Sequence, residues 1–176
     1  MVKEFRGGFR AFFYQSFARV FGFNLKERYN PKENIYDKTK AKTEICDQLN
    51  LEQNKLLITY PVRVIQRKNI GEFILLAALF NENANFVVTQ PPQNPVEIER
   101  YKKWVDFCKK EKINVTFEAG TKVDFEKLLI ASDFCITTSY NEGFGMVYLE
   151  PWLLNTPVVG RDIDFISKDF RADGFD

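Results

Sequence analysis

The sequence contains no histidine, few cysteines and no long hydrophobic run. Without histidine the chain cannot form a Ser-His-Asp triad, a Cys-His pair or an HExxH zinc site. Cys46, Cys108 and Cys135 are far apart and form no CxxC motif, so neither a disulfide framework nor a zinc knuckle is expected. The longest apolar stretch, Phe73–Phe80, is too short to cross a bilayer, and no signal sequence opens the chain. We therefore expect an unprocessed cytoplasmic protein with reduced thiols.

Charge is nearly balanced, with 25 basic and 24 acidic residues and a formal net charge of +1. No global field therefore attracts nucleic acid, and no nucleic-acid partner is expected. With 176 residues and 45% hydrophobic side chains, the chain can bury one domain and carry a short appendage. Any chemistry must depend on local carboxylates, cations and backbone dipoles.

From Leu56 onward, strand-like and helix-like segments alternate. This alternation predicts an α/β fold with a doubly wound parallel sheet, Rossmann-like in its arrangement. In such folds ligands bind beyond the carboxyl ends of the strands where the strand order reverses, here between the first and fourth strands. Strands are predicted near Leu56–Tyr60, Phe86–Gln90, Val115–Glu118, Phe134–Thr138 and Pro157–Val159, and helices at Ile70–Asn81, Val96–Glu111, Phe125–Ala131 and Gly145–Leu154.

A glycine-flanked turn follows the fourth predicted strand, within the stretch NEGFGMVYLEPWLLNTP at 141–157. The backbone N–H groups of Gly143, Phe144, Gly145 and Met146 should lie at a helix N-terminus, where spare donors and the helix dipole attract phosphate. The glycines also remove side chains that would hold a phosphate at a distance. The turn is therefore a candidate phosphate site.

Three polar side chains belong to the same region. Glu142 and Glu150 flank the glycine turn, eight positions apart, and Ser139 at the end of the fourth strand can add a hydroxyl donor or simply close the strand. Glu150 could also be an ordinary exposed helix residue.

The loop after the first predicted strand carries Arg63 and Lys68, five positions apart. An arginine fork beside a lysine point charge suits a diphosphate arriving at the glycine turn. The alternative is an ordinary solvated basic loop. The position of this loop opposite the turn favours a binding role.

In this combination the sequence resembles the nucleotide-sugar-binding half of GT-B glycosyltransferases, in particular the large retaining family 4. The resemblance covers about residues 30–164. Arg63 and Lys68 match the family's R-x4-K pair, and EGFGMVYLE at 142–150 matches its E-x7-E element. The stretch from Phe117 to Asp133 and the sequence TPVV at 156–159 match two further elements in the same order.

The resemblance implies a role for each matched residue. Glu142 would approach the donor hexose, Arg63 and Lys68 would hold the diphosphate, and Glu150 would bind the ribose hydroxyls. The amides from Gly143 to Met146 would bind the distal phosphate. The donor would be a UDP- or GDP-sugar used as substrate, with anomeric configuration retained and no metal or other cofactor. A noncatalytic nucleotide-sugar or phosphate-binding module is the alternative function.

The domain organisation follows from the same likeness. Residues 55–176 would form the donor-binding domain, truncated before the terminal helices of the family, and the N-terminal acceptor domain would be missing. Residues 30–54 would be a linker with an entrance helix at Lys40–Leu49. Residues 1–29 predict a basic, aromatic amphipathic helix, which would pack on the domain, be a remnant of the missing half, or contact a membrane surface peripherally.

Three competing motifs carry less weight. The pattern GxGxxG begins at Gly143, but Tyr148 stands at its third glycine and the turn follows the fourth strand, which disfavours dinucleotide binding. Asp162 and Asp164 form a DxD triplet, for which capping or solvent exposure is expected. Glu142 and Glu150 could be a glycosidase pair, but a cationic loop and a helix N-terminus favour phosphate over a neutral glycan.

Overall fold

The computed structural model describes residues 37–143 and 145–172, with side chains up to Lys168. The expectations for residues 1–29, for the linker before Asp37 and for Phe144 lie outside this part of the chain. The strands are β1 (Leu56–Arg63), β2 (Ala84–Gln90), β3 (Val115–Thr116), β4 (Phe134–Thr137) and β5 (Val158–Gly160). The helices are α1 (Lys38–Leu49), α2 (Ile70–Phe80), α3 (Pro95–Lys110), α4 (Phe125–Ala131), α5 (Met146–Leu153) and α6 (Asp164–Ala172), with 3-10 turns at Gln66–Lys68 and Ala119–Thr121.

The strands form one parallel sheet in the order β3-β2-β1-β4-β5. The order reverses at β1 and β4, which pair in register through Ile58 with Phe134 and Thr59 with Cys135. The predicted α/β, doubly wound fold is therefore confirmed. The carboxyl ends of β1 and β4 lie side by side, where this fold places its ligands.

Side-chain caps start helices α1, α3 and α4 at the positions that local sequence chemistry favours. The carboxylate of Asp37 accepts hydrogen bonds from the amides of Thr39 and Lys40 at 2.8 and 3.2 Å. Asn94 caps α3 in the same way, and Asp124 caps α4. Such caps satisfy amides that the first helical turn leaves without partners.

The two faces of the sheet carry separate hydrophobic clusters. On one face, Tyr60 packs against Phe73 of α2, which packs in turn against Phe86, with ring centroids 5.3 and 5.4 Å apart. On the other, Leu57 of β1 joins residues of α1 and α4, among them Ile45 and Leu128. Because successive residues of a strand point to opposite faces, β1 contributes to both clusters. The compact unit begins at Asp37, so α1 folds with the α/β domain.

The first strand is longer than predicted. We expected it to end near Tyr60, and the next residue, Pro61, has no N–H to donate to the ladder. Instead β1 continues to Arg63, and its register against β2 shifts between Tyr60 and Arg63. An irregularity of this kind accommodates the missing donor and lets the strand resume.

Other boundaries also differ from expectation, among them the end of β3 and the region after Asp164. β3 ends at Thr116 rather than Glu118, because Glu118 has a left-handed backbone with φ of 61°. After Asp164, where no terminal helix was expected, α6 forms, and the neighbouring Ile163 and Ile166 are buried in the first cluster. Within residues 37–143 and 145–172, no helix has both the length and the apolar character needed to cross a membrane.

Candidate functional site

Two loops at the carboxyl edge of the sheet, residues 64–69 after β1 and residues 138–145 after β4, meet where the strand order reverses. The Nζ atom of Lys68 lies 2.5 Å from each carboxylate oxygen of Glu142. The two side chains are 9% and 5% exposed. This is a buried ion pair between the two loops that the sequence predicted to face each other.

Arg67 provides a second cation at the same carboxylate. Its NH1 atom donates to Oε2 of Glu142 at 3.3 Å and to the carbonyl of Asn141 at 2.9 Å. The amide of Tyr140 donates to the carbonyl of Arg67 at 3.2 Å. Sequence reasoning did not single out Arg67, and its only signal was its position beside Lys68. It joins the two loops through both its backbone and its side chain.

Buried hydroxyl groups hold the loops together from below. The hydroxyl of Tyr60 donates to the carbonyl of Lys68 at 2.7 Å, and lies 2.8 Å from Oγ of Ser139. Oγ1 of Thr138 lies 3.1 Å from the Lys68 carbonyl and 3.0 Å from that of Asn69. These groups are buried, so the hydrogen bonds orient the backbone that carries Lys68. The predicted direct contact between Ser139 and the nucleotide-sugar donor stays a prediction.

Burial shifts the proton affinities of two groups in this network. It lowers the pKa of Lys68, against the opposite effect of Glu142, and the neighbouring charge of Arg67 lowers it further. Burial also raises the pKa of Tyr60, so its hydroxyl stays protonated and remains a donor to the Lys68 carbonyl. Glu142 therefore favours the charged ammonium of Lys68, which burial disfavours.

The glycine turn opens α5 as predicted. Gly145, with φ of 70°, stands at the N-cap in the left-handed region that glycine adopts without strain, and the helix begins at Met146. Gly143 is exposed, and among the described residues beyond its chain neighbours none lies within 4 Å of a Cβ atom placed there. The space above Gly143 is therefore open to a ligand.

Arg63 does not join the ion pair. It stands at the exposed end of β1, in register with Gln90 of β2. Within the described part of the chain, the side chain of Arg63 forms no hydrogen bond or ion pair. Of the two cations predicted to converge, the structure brings Lys68 to Glu142 and leaves Arg63 apart, so the proposed role of Arg63 stays a prediction.

The remaining acidic residues of the sequence analysis are Glu150, Asp162 and Asp164. Glu150 is half-buried on α5, directly before Pro151, which lies inside the helix without an N–H to donate. Its contact with a ribose stays a prediction. The hydroxyl of Ser167 donates to Asp162, and Asp164 begins α6. Both aspartates of the DxD triplet are exposed, which agrees with the expected solvent exposure, whereas the helix that starts at Asp164 was not expected.

Fold and site together define a Rossmann-like α/β domain with a charged site at its switch point. Residues 41–175 match the family described as Glycosyl transferases group 1, and the chain belongs to that family. Residues 1–45 match a family described as a domain of unknown function, DUF4294.

One curated relative extends the family assignment. The mannosylglucosyl-3-phosphoglycerate synthase of Petrotoga mobilis is 31% identical over 137 residues, which are 74% of this chain and 27% of that protein. The chain thus spans about a quarter of the length of this relative.

Solved structures confirm the fold. HepE of Anabaena, crystallised with UDP and glucose, superposes with a TM-score of 0.60 at 22% identity, over 69% of this chain and 33% of HepE. The C-terminal domain of LpcC, a glycosyl transferase group 1 family protein of Francisella tularensis, superposes with a TM-score of 0.57 at 17% identity, over 69% and 65% of the two chains. The resemblance to one half of a GT-B glycosyltransferase is therefore confirmed.

Proposed function

We propose that this domain binds a nucleotide-sugar donor and forms the donor half of a retaining, family 4-like glycosyltransferase. The observation that supports it most directly is the buried pair of Lys68 and Glu142 beside the open turn at Gly143. A buried ammonium ion and a set of helix-terminal amides, adjacent at the switch point, together suit a diphosphate.

The ion pair would rearrange when a donor binds. A diphosphate carries more negative charge than one carboxylate, so it would compete with Glu142 for the Lys68 ammonium. Glu142 would then be available to accept hydrogen bonds from sugar hydroxyls, while Arg67 keeps it near the site through the carbonyl of Asn141. In this proposal the pair keeps a buried lysine charged until the substrate arrives.

Catalysis would be mainly electrostatic. When the glycosidic bond breaks, negative charge grows on the departing nucleoside diphosphate, and Lys68, Arg63 and the amides at Gly143–Met146 would stabilise it. Loss of one such hydrogen-bond donor typically raises the activation free energy by on the order of 3 kcal/mol. Charged side chains and amides supply this stabilisation, so we propose that no metal takes part.

The acceptor would be held by another domain, as in the two-domain proteins that this chain partly covers. The name of the Petrotoga relative makes a mannosyl donor the first to test. The proposal does not specify the base or the sugar of the nucleotide-sugar donor, or the acceptor.

Titration calorimetry with UDP, GDP, UDP-glucose and GDP-mannose tests the proposal. We expect micromolar to millimolar binding of at least one nucleotide. Gly143→Ala should weaken it about tenfold, because the new methyl group fills phosphate space, while leaving unfolding unchanged, because that space is empty in the free protein. Lys103→Ala, an exposed change on α3, is the matched control. No binding of any nucleotide would reject both the enzymatic and the passive binding function.

A second measurement separates an enzyme from a passive binding module. A catalytic donor domain should release nucleoside diphosphate from its donor slowly, even without an acceptor, and Glu142→Gln should abolish that release. Binding without any such hydrolysis, at an enzyme concentration that would detect rare turnovers, would favour the noncatalytic alternative.

A further inference from the structure

A second cleft lies between the N-terminal halves of α2 and α3, on the side of the 3-10 turn at Gln66–Lys68. Its volume is about 170 Å³, below the roughly 300 Å³ at which sites for larger ligands begin. The cleft therefore holds one ring and not a whole nucleotide sugar. It shares the loop after β1 with the diphosphate site, but Lys68, Glu142 and the glycine turn are not among its lining residues.

The polar side of this cleft is formed by a hydrogen-bonded set of planar groups. NH1 of Arg100 donates to Oε1 of Gln66 at 3.1 Å and to Oε2 of Glu97 at 3.1 Å. Asn69 adds an amide side chain. The one cation and one anion neutralise each other, so the cleft has no spare charge with which to attract an ion. Planar donors and acceptors of this kind suit the vicinal hydroxyls of an uncharged ligand.

The opposite side is aromatic. Tyr101 and Trp104 line it, and the hydroxyl of Tyr101 is already committed to Glu118 at 2.8 Å, so Tyr101 offers mainly its ring. The indole of Trp104 packs closely on α2, where a Cβ atom at Gly71 would lie 3.0 Å from its ring. The missing side chain at Gly71 thus lets the indole sit against the helix and line the cleft.

We propose that this cleft binds a single neutral sugar ring of a glycan, at a site separate from the nucleotide-sugar site. An aromatic wall matches the C–H face of a sugar, and the set of Arg100, Glu97, Gln66 and Asn69 matches its hydroxyl edge. The size of the cleft limits the occupant to one ring, and the balanced charges select an uncharged one. The inference does not depend on whether the diphosphate site binds a donor.

Nuclear magnetic resonance on the full 176-residue chain tests this directly, because the sequence has only two tryptophans, Trp104 and Trp152. The probes are the methyl glycosides of glucose, mannose and galactose, and maltose. We expect at least one to shift the indole N–H signal of Trp104 at millimolar concentration. Arg100→Ala, at an exposed position, should raise the Kd about tenfold. Lys103→Ala on the same helix should leave the Kd unchanged.

The site is distinguished from the nucleotide-sugar site by Lys68→Ala. That change should weaken UDP binding and leave the Trp104 shift intact, so each proposal can fail alone. The inference is overturned if no probe shifts Trp104, if Arg100→Ala and Glu97→Gln both leave the Kd unaltered, or if UDP displaces the sugar. The inference is also overturned if only a UDP-sugar shifts the Trp104 signal and Lys68→Ala abolishes that shift. The sugar ring in the cleft would then belong to the nucleotide-sugar donor.

Discussion

The strongest energetic prediction concerns the pair of Lys68 and Glu142. The side chains of Lys68 and Glu142 are both more than nine-tenths buried, at 9% and 5% exposure, and each carboxylate oxygen lies 2.5 Å from Nζ. Removing one member of such a pair leaves an uncompensated buried charge, which typically costs 3–5 kcal/mol. In Glu142→Gln, loss of the carboxylate removes the interaction that raises the pKa of Lys68, so this pKa falls further and the cost of the uncompensated charge is reduced. We therefore expect Glu142→Gln to lose unfolding free energy at the low end of this range, about 3 kcal/mol.

Urea unfolding at pH 7 measures this loss of unfolding free energy in Glu142→Gln. Lys103→Ala, which breaks an exposed ion pair, is the control. The double variant Lys68→Met with Glu142→Leu should recover most of the lost stability, because it removes both charges and fills the space with apolar groups. Measured together with Lys68→Met and Glu142→Leu as single variants, the double variant closes a double-mutant cycle, and its coupling energy isolates the pair. A loss in Glu142→Gln below about 0.5 kcal/mol, like that of an exposed residue, would refute the claim that this pair is desolvated.

The same pair predicts a pH dependence. Because the folded state lowers the pKa of Lys68, the folded protein releases this proton at a lower pH than the unfolded chain. The unfolded chain then binds more protons in the interval below about 10.4, so stability rises with pH there. Wild type should gain stability relative to Lys68→Met as the pH rises toward 10. A constant difference between the two proteins across that range would contradict the assignment.

Three further changes test other parts of the domain. Gly160→Ala should cost about 1–3 kcal/mol in chemical denaturation, because the added Cβ would lie 2.3 Å from the Cγ2 of Thr137; equal stability would show that β4 and β5 can separate. Burial raises the pKa of Tyr148 to about 12, so the stability that its protonated hydroxyl contributes is present below about pH 10 and is lost as the pH rises from there to about 12. Because burial also raises the pKa of Tyr60 and of Tyr101, ultraviolet titration of Tyr148→Phe should show one fewer late-titrating tyrosine than wild type, and an equal number would contradict the assignment. Arg63→Ala should alter unfolding by less than about 0.5 kcal/mol yet weaken nucleotide binding in calorimetry, and unaltered binding would remove Arg63 from the site.

The order of elements was predictable because its signals are local. Period-two and helical apolar patterns located the strands and helices, and Phe125–Ala131 was predicted with its observed bounds. The glycine turn before Met146 was also predictable, since only glycine adopts the left-handed backbone of Gly145 easily. Of the boundaries that differed, those at Arg63 and Glu118 depend on nonlocal pairing and on backbone conformation.

The sequence by itself determined the doubly wound architecture, the two loops of the candidate site and Glu142 with Lys68 as their charged residues. Only the tertiary structure decided which cations reach the carboxylate. The spacing of Arg63, Arg67 and Lys68 along the chain does not state where each side chain points, because the register shift after Tyr60 and the 3-10 turn at Gln66–Lys68 reorient them. The turn brings Arg67 and Lys68 to Glu142, whereas the strand keeps Arg63 at its exposed end.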